Sequence, residues 1–262
     1  MTNIVITGST SGIGYGLANS FLSLGCSVTI SGRSQTNIDN AVKLLLDKYG
    51  AHHVFSYRCD VTDYNQVQTL WDAAKAHFGT IDIWINNAGV GQPETAIGDY
   101  SPDKIKKVVD TNVIGAINGS VLALKGMSDQ GYGSIYNMEG LGSSGPIIKG
   151  MALYGTTKSA LAYLTRSMIK EVQGTKIVVG ALRPGMVATK LITEQYQGHP
   201  EEWERSKKIF NILSDRVETV TPWLAKRILA NKKNGAYFAW LTRGKLLKRF
   251  LTAPFSKRNI YD

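Results

Sequence analysis

Tyr154 and Lys158 stand four residues apart, so a helix would carry them on one face. A phenol ordinarily keeps its proton, with a pKa of about 10. An ammonium held beside it favours the phenolate and lowers that value. A tyrosine tuned in this way can give or take a proton near neutral pH, as carbonyl reduction or alcohol oxidation requires. Spacing alone does not separate this reading from a plain core tyrosine, because Tyr100 and Lys104 repeat it. There Pro102 pushes Ser101 out of the helical region and breaks the geometry that Tyr100 would need. No proline lies between Tyr154 and Lys158, and Ala152, Leu153, Ala160, Leu161 and Leu164 recur with a helical period.

The elements around this pair alternate. Short apolar runs predict strands over residues 4–7, 27–30, 54–59, 81–85, 134–137, 176–182 and 236–240. Between them, helical patterns cover residues 17–24, 37–49, 65–78, 103–124, about 151–172, 201–213 and 222–231. Strands alternating with helices imply an α/β fold: a doubly wound, Rossmann-type parallel sheet of seven strands, with helices on both faces and right-handed crossovers. No linker, repeat or low-complexity stretch divides residues 1–262, so a single domain is expected.

Four loops at strand ends carry the binding signals. The first strand runs into Gly8-Ser-Thr-Ser-Gly12-Ile-Gly14 and then a helix. Its glycines permit a sharp turn and let backbone N–H groups approach a phosphate, with the positive end of the helix aimed at the same place. Such a loop is weak evidence alone and much stronger when it opens the first βα unit. The second strand ends at Arg33, where an acidic residue would bind the ribose hydroxyls of NAD and an arginine suits the 2′-phosphate of NADP. Arg33 therefore points to NADP(H), against the alternative of an ordinary surface arginine. After the third strand, Asp60 could accept from an adenine amino group or cap the next helix. The small residues Asn87, Ala88 and Gly89 would let a cofactor lie against the end of the fourth strand. Asn112 falls in mid-helix, where an asparagine usually just faces solvent.

Composition narrows the partners. The 262 residues are 43% apolar with 27 glycines, enough for a substantial core and tight turns. No apolar run approaches the roughly 18 residues of a membrane span, and the chain enters a strand at once, leaving no room for a signal peptide. Two cysteines suit a reducing compartment, and they and the four histidines lack ligand spacing, so a soluble, cytoplasmic chain without a metal is expected. His52 and His53 should enter a strand and point to opposite faces. The formal charge of +10 can draw in phosphorylated cofactors, anionic membranes or nucleic acid. The basic residues are scattered until the C-terminus, however, and no nucleic-acid-binding motif is present.

Taken together, Thr-Gly-x-x-x-Gly-x-Gly at residues 7–14, Asn-Asn-Ala-Gly at 86–89, Asn112, Tyr154-x-x-x-Lys158 and Pro184-Gly185 resemble the short-chain dehydrogenase/reductase family over about residues 3–240. The resemblance implies an oxidoreductase working on a small-molecule carbonyl or alcohol. Tyr154 would be the general acid in reduction, and Lys158 would hold the nicotinamide ribose and depress the tyrosine pKa. Asn112 would bend its helix and hold a proton-relaying water. Gly8, Thr10, Ser11, Ile13 and Gly14 would hold the pyrophosphate, Asp60 and Val61 the adenine side, and Pro184, Gly185, Val187 and Thr189 the nicotinamide end. It also implies a homodimer or homotetramer built on the helices bearing Asn112 and Tyr154.

One departure stands out. The family usually carries a serine about 13 residues before the tyrosine, but Leu141 sits there, or Gly140 if one residue is inserted after Asn137. Ser143 or Ser144 could reach in from a rearranged loop, and Ser143 is favoured; otherwise a backbone N–H must serve. The run Asn-Met-Glu-Gly-Leu-Gly-Ser-Ser-Gly, with Pro-Gly-Met-Val near residue 184, is similar to the branch containing chlorophyll(ide) b reductases. Those enzymes use NADPH to reduce a ring formyl group. Other carbonyls (steroid, polyol or acyl ketone) and a non-catalytic NADP(H) sensor are the competing readings.

Two segments bear on the substrate. Residues 189–214 carry Leu191, Ile192, Tyr196, Trp203, Ile209, Phe210 and Leu213. In the family this region is a lid, and its bulk would suit a lipophilic substrate or simply pack the lid down. The tail, 241–262, mixes Lys245, Lys248 and Arg249 with Leu246, Leu247, Phe250 and Leu251. It is expected either to dock its apolar side on protein or to lie peripherally on an anionic membrane.

Overall fold

Strand β1 (Asn3–Ile6) shows why the sheet is covered on both sides. Ile4 and Ile6 point into one core and Val5 into another, and all three are buried. The computed structural model describes residues 1–144, 147–196, 198, 200–256 and 258–261. From β1 the chain continues through α1 (Gly12–Ser23), β2 (Ser27–Gly32), α2 (Gln35–Tyr49), β3 (Val54–Arg58), α3 (Tyr64–Phe78) and β4 (Ile83–Asn86). Then come α4 (Pro102–Val109), α5 (Gly115–Gln130), β5 (Gly133–Met138), α6 (Ala152–Glu171), β6 (Ile177–Arg183), β7 (Val187–Ala188), α7 (Lys190–Thr193), α8 (Pro200–Leu213), β8 (Asp215–Arg216), α9 (Val217–Ala230), β9 (Ala236–Ala239) and α10 (Arg243–Thr252).

The seven-stranded sheet is parallel throughout, in the order β3-β2-β1-β4-β5-β6-β9, while β7 and β8 pair separately. The order in which strands are added reverses between β1 and β4, so their outgoing loops part and leave a crevice beyond the strand ends. Leu17 and Phe21 of α1, Leu45 of α2 and Leu224 of α9 fill one face. Trp71 of α3, Leu122 and Met127 of α5 and Met168 of α6 fill the other. Each such side chain taken from water contributes about 1.5–3 kcal/mol before entropy is charged against it. A buried polar chain fixes α5 and α6 over the sheet: Asn86 donates to Ser120 and Asn137, and Asn137 donates to Thr165.

Three expectations are corrected. The helix expected over 103–124 is three pieces, because residues Asp110–Ile114 form a π-helical turn between α4 and α5. The wider turn carries Asn112 into the protein, where its amide pairs with the backbone of Val90 and repays the lost helix geometry. The helix placed at 222–231 begins at Val217, with Pro222 inside it; the burial of Val220, Thr221 and Leu224 outweighs the lost N–H. His52 and His53 lie in a 3₁₀ turn, Ala51–His53, that precedes β3. The tail is anchored through a charge. Arg249 is buried and pairs with Asp215 at 2.5 Å, whereas Leu247, Leu251 and Phe255 are exposed. No described helix is long and apolar enough to cross a membrane.

Candidate active site

The expected residues gather at the outgoing ends of β1 to β6. Thr7 latches the two central loops: its hydroxyl accepts from the N–H groups of Asn87 and Ala88, and Asn87 Nδ2 donates to the carbonyls of Thr7 and Gly8. The loops touch so closely that a Cβ on Gly8, at φ +62°, would stand 2.8 Å from Ala88 Cα. One on Gly14 would stand 2.5 Å from Asn87 Nδ2. Glycine is required at both positions. Ser11 makes no side-chain bond to the first turn of α1, so the amides near Gly12, Ile13 and Gly14 meet no competing cap. A pyrophosphate fits this cradle. Thr189 closes it from the far side, its methyl 3.3 Å from where a Cβ of Gly12 would be. Gly185, at φ +75°, turns the segment that holds buried Pro184 and Val187.

On the adenine side, Arg33 and Asp60 line one cavity of about 260 Å³ together with Thr62, Lys106 and Thr111. Arg33 is exposed, and Arg58 Nε donates to its carbonyl. Asp60 does not cap α3. That work falls to Asp63, which accepts from Asn65 and Gln66, while Asp60 accepts from Thr62 within its own turn. Thr10 lies beside Gly32 at the end of β2, and Val61 is buried against Gly115.

Tyr154 and Lys158 meet in the first turns of α6. A Cβ on Gly140 would be 3.0 Å from the Tyr154 hydroxyl and 3.6 Å from Lys158 Cε, and one on Gly89 would be 3.8 Å from Lys158 Nζ. The two side chains therefore face one cleft, bounded by the end of β5 and the loop after β4. Lys158 is buried, its Nζ donates to Met138 O at 3.0 Å, and it lies 5.7 Å from the centre of the Tyr154 ring. Asn112 is buried beside them; its amide accepts from Val90 N and donates to Val90 O and Thr157 Oγ1. Its side chain is thus a tie between the loop after β4 and α6.

The electrostatics run against the expected direction. Tyr154 as a residue is only half-buried, yet its phenol is crowded closely enough that desolvation pushes its pKa up to about 12. Burial likewise lowers Lys158 to about 8, opposed by the negative charge of Glu139. Nζ is directed to the Met138 carbonyl, and the loss of water by the phenol is what sets the direction of its shift. The phenol is protonated at neutral pH.

Ser143 is engaged within its own loop: its hydroxyl donates to Lys158 O and accepts from Gly140 N, each at 3.1 Å, so its one proton pins the loop to α6. Gly140 occupies the place beside Tyr154 where the family's serine was sought. Two residues escaped sequence reasoning. Glu139, buried, binds Arg183 through Oε2 at 2.6 Å, and Arg183 stacks 4.3 Å over the Tyr237 ring and donates to Ser144. Gln92, also buried, donates to Tyr100 and Gly150 and accepts from Tyr154 N. Ser101 is extended, as the following Pro102 requires, and the decoy Tyr100 hydrogen-bonds within this group instead.

A family model described as short chain dehydrogenase matches residues 2–200. The chain belongs to the short-chain dehydrogenase family. It is 34% identical to chlorophyll(ide) b reductase NOL of Oryza sativa over 270 residues, covering 99% of this chain and 77% of that one. It is 33% identical to the probable chlorophyll(ide) b reductase NYC1 of Arabidopsis thaliana over 276 residues, and spans only 54% of that longer protein. Among solved structures, the short-chain dehydrogenase fold is shared with ElxO with NADP bound, at a TM-score of 0.78 and 26% identity over 91% of this chain and 96% of that chain. These similarities agree with the parallel sheet and with the crevice at its switch point.

Proposed function

We propose that this short-chain dehydrogenase is an NADPH-dependent reductase of an aldehyde or ketone on a bulky apolar substrate, the ring formyl group of chlorophyll(ide) b being the leading candidate. The observation that carries the reading is geometric: the Tyr154 hydroxyl and the Lys158 ammonium share one cleft at the open end of the β1–β4 crevice. When bound, the reduced nicotinamide supplies a hydride to the carbonyl carbon and is itself oxidised. Tyr154 gives its proton to the carbonyl oxygen as the C=O π bond breaks, leaving an alcohol, and solvent reprotonates the phenolate. Lys158, held by Met138, places a positive charge near the ribose and the forming phenolate. Gly140 offers no side-chain donor, so Tyr154 stands as the side chain that protonates the substrate oxygen.

Apolar residues on the loops near the cleft support the substrate class. Leu191 lies over the loop after β4, 3.3 Å from where a Cβ of Gly91 would be, and it is 42% exposed. Ile97, Ile147 and Ile148 are exposed on the neighbouring loops. The lid aromatics Tyr196, Trp203 and Phe210 pack mainly on one another and on Tyr261, which leaves these aliphatic residues to meet a substrate. Similarity to chlorophyll(ide) b reductases supports the same class.

For the cofactor, Arg33 faces the cavity that Asp60 shares. A guanidinium–phosphate contact is worth about 1.5–3 kcal/mol, or roughly 10–100-fold in affinity. Titration of the protein with NADPH and NADH should give a preference for NADPH of that order, removed by Arg33→Asp. Equal affinity for the two cofactors in the unmutated protein would refute the assignment.

A further inference from the structure

Helix α6 begins without a cap of its own. Its N-cap position is Met151, which has no side-chain oxygen, and no side-chain bond is made there. The first amides of a helix have no partner within it, so an N–H in the first turn needs an acceptor from outside. Tyr154 is the third residue of this helix, and its N–H is met by the side chain of Gln92, 62 residues earlier, at 3.1 Å to Oε1. The other end of that amide donates to the hydroxyl of Tyr100 at 2.5 Å and to Gly150 O at 3.1 Å. Tyr100 in turn reaches Gly150 O at 3.3 Å, with Lys104 lying 5.8 Å over its ring. Gln92 is 1% exposed. One buried amide therefore joins the loop after β4, the loop that leads into α6, and the backbone of the residue whose phenol faces the cleft.

We infer that Gln92 is a positioning residue for the reduction: it supplies the missing N-cap of α6 from the opposite wall of the cleft and so fixes where the Tyr154 hydroxyl stands. The inference rests on Tyr154 as the proton donor. A displacement of the donor by about 1 Å can cost on the order of 100-fold in rate without weakening binding. The amide must present an acceptor to Tyr154 N and a donor to Gly150 O together, which fixes its orientation and excludes isosteric apolar residues.

The test compares Gln92→Ala, Gln92→Glu and Tyr154→Phe in the full chain with NADPH and one carbonyl substrate. Gln92→Ala is expected to lower kcat by about 10–100-fold, with the NADPH Kd and the carbonyl KM changed by less than about threefold. Gln92→Glu carries a conditional repair. A protonated carboxyl can accept from Tyr154 N and donate to Gly150 O, whereas a carboxylate would oppose the Gly150 carbonyl; its activity relative to wild type should rise as pH falls. A buried carboxyl titrates above the usual range, which brings that recovery into an accessible window. An inactive Tyr154→Phe beside a Gln92→Ala with wild-type kcat would overturn the role of Gln92 alone. An active Tyr154→Phe would overturn the parent reading and this one with it. Should Gln92→Ala fail to fold, Gln92→Glu decides: a relative activity that does not change with pH contradicts the inference.

Discussion

Tyr154→Phe is expected to lower kcat by at least about 10³-fold while leaving the NADPH Kd within about twofold of wild type. A positioned general acid contributes on the order of 10²–10⁴ to the rate. The upper half of that range applies because Gly140 provides no second side-chain donor and Ser143 is tied to Lys158 O. Binding should survive because phenylalanine keeps the ring 5.7 Å from Lys158 Nζ and keeps the backbone bond to Gln92, both of which lie outside the lost hydroxyl. Fluorescence titration with NADPH and steady-state rates on the same preparation separate the two quantities. Activity within about tenfold of wild type would remove Tyr154 from the chemistry.

Asp215→Ala is expected to be the most damaging single change to stability outside the sheet. The carboxylate is buried and meets Arg249 at 2.5 Å, Arg258 at 3.1 Å, Lys245 at 3.7 Å and Trp240 Nε1 at 2.6 Å. Deleting it leaves the buried Arg249 without its counter-ion, a loss of about 3–5 kcal/mol. In a chain of this size that corresponds to roughly 10 °C in Tm. The pH dependence carries a sign that checks the cause. Burial alone would raise the Asp215 pKa, but the hydrogen bonds from Arg249, Trp240 and Arg258, with the charge of Arg249, outweigh it and hold the group below its usual 3.8. A depressed carboxylate contributes stability above its unfolded pKa and loses it as pH falls through the folded one. The Tm gap between wild type and Asp215→Asn should therefore be constant from pH 7 to about pH 5 and close below about pH 4. Thermal melts across that range decide; a gap that persists in acid would point to lost packing instead of lost charge.

What could be read from the chain was whatever its local pattern encodes. The alternation of apolar runs with helical periods gave seven strands and their order of appearance, and the glycine turn, Asn87 and the Tyr154–Lys158 spacing all reached the crevice. Side chains whose partners are distant were not readable. Gln92 sits in a loop with no periodicity and finds Tyr154 N across 62 residues. Glu139 finds Arg183 across 44, and the anchor of the tail, Asp215, lies 34 residues before Arg249. The direction of the Tyr154 shift is hidden for a related reason: spacing brings a lysine near, but burial and the Met138 carbonyl are set by the fold. The π turn at Asn112 is the bend that the family resemblance implies, though its tie to the backbone of Val90 is announced by no helical period.

The most direct measurement mixes the protein with NADPH and chlorophyllide b and follows pigment and nicotinamide absorbance together over a pH series. The account predicts loss of the formyl spectrum with equimolar oxidation of NADPH, at a rate that holds below about pH 8 and falls above it as Lys158 loses its charge. An unchanged pigment spectrum in protein that binds NADPH would contradict the proposed substrate, and a rate that stays level well above pH 8 would contradict the part assigned to Lys158.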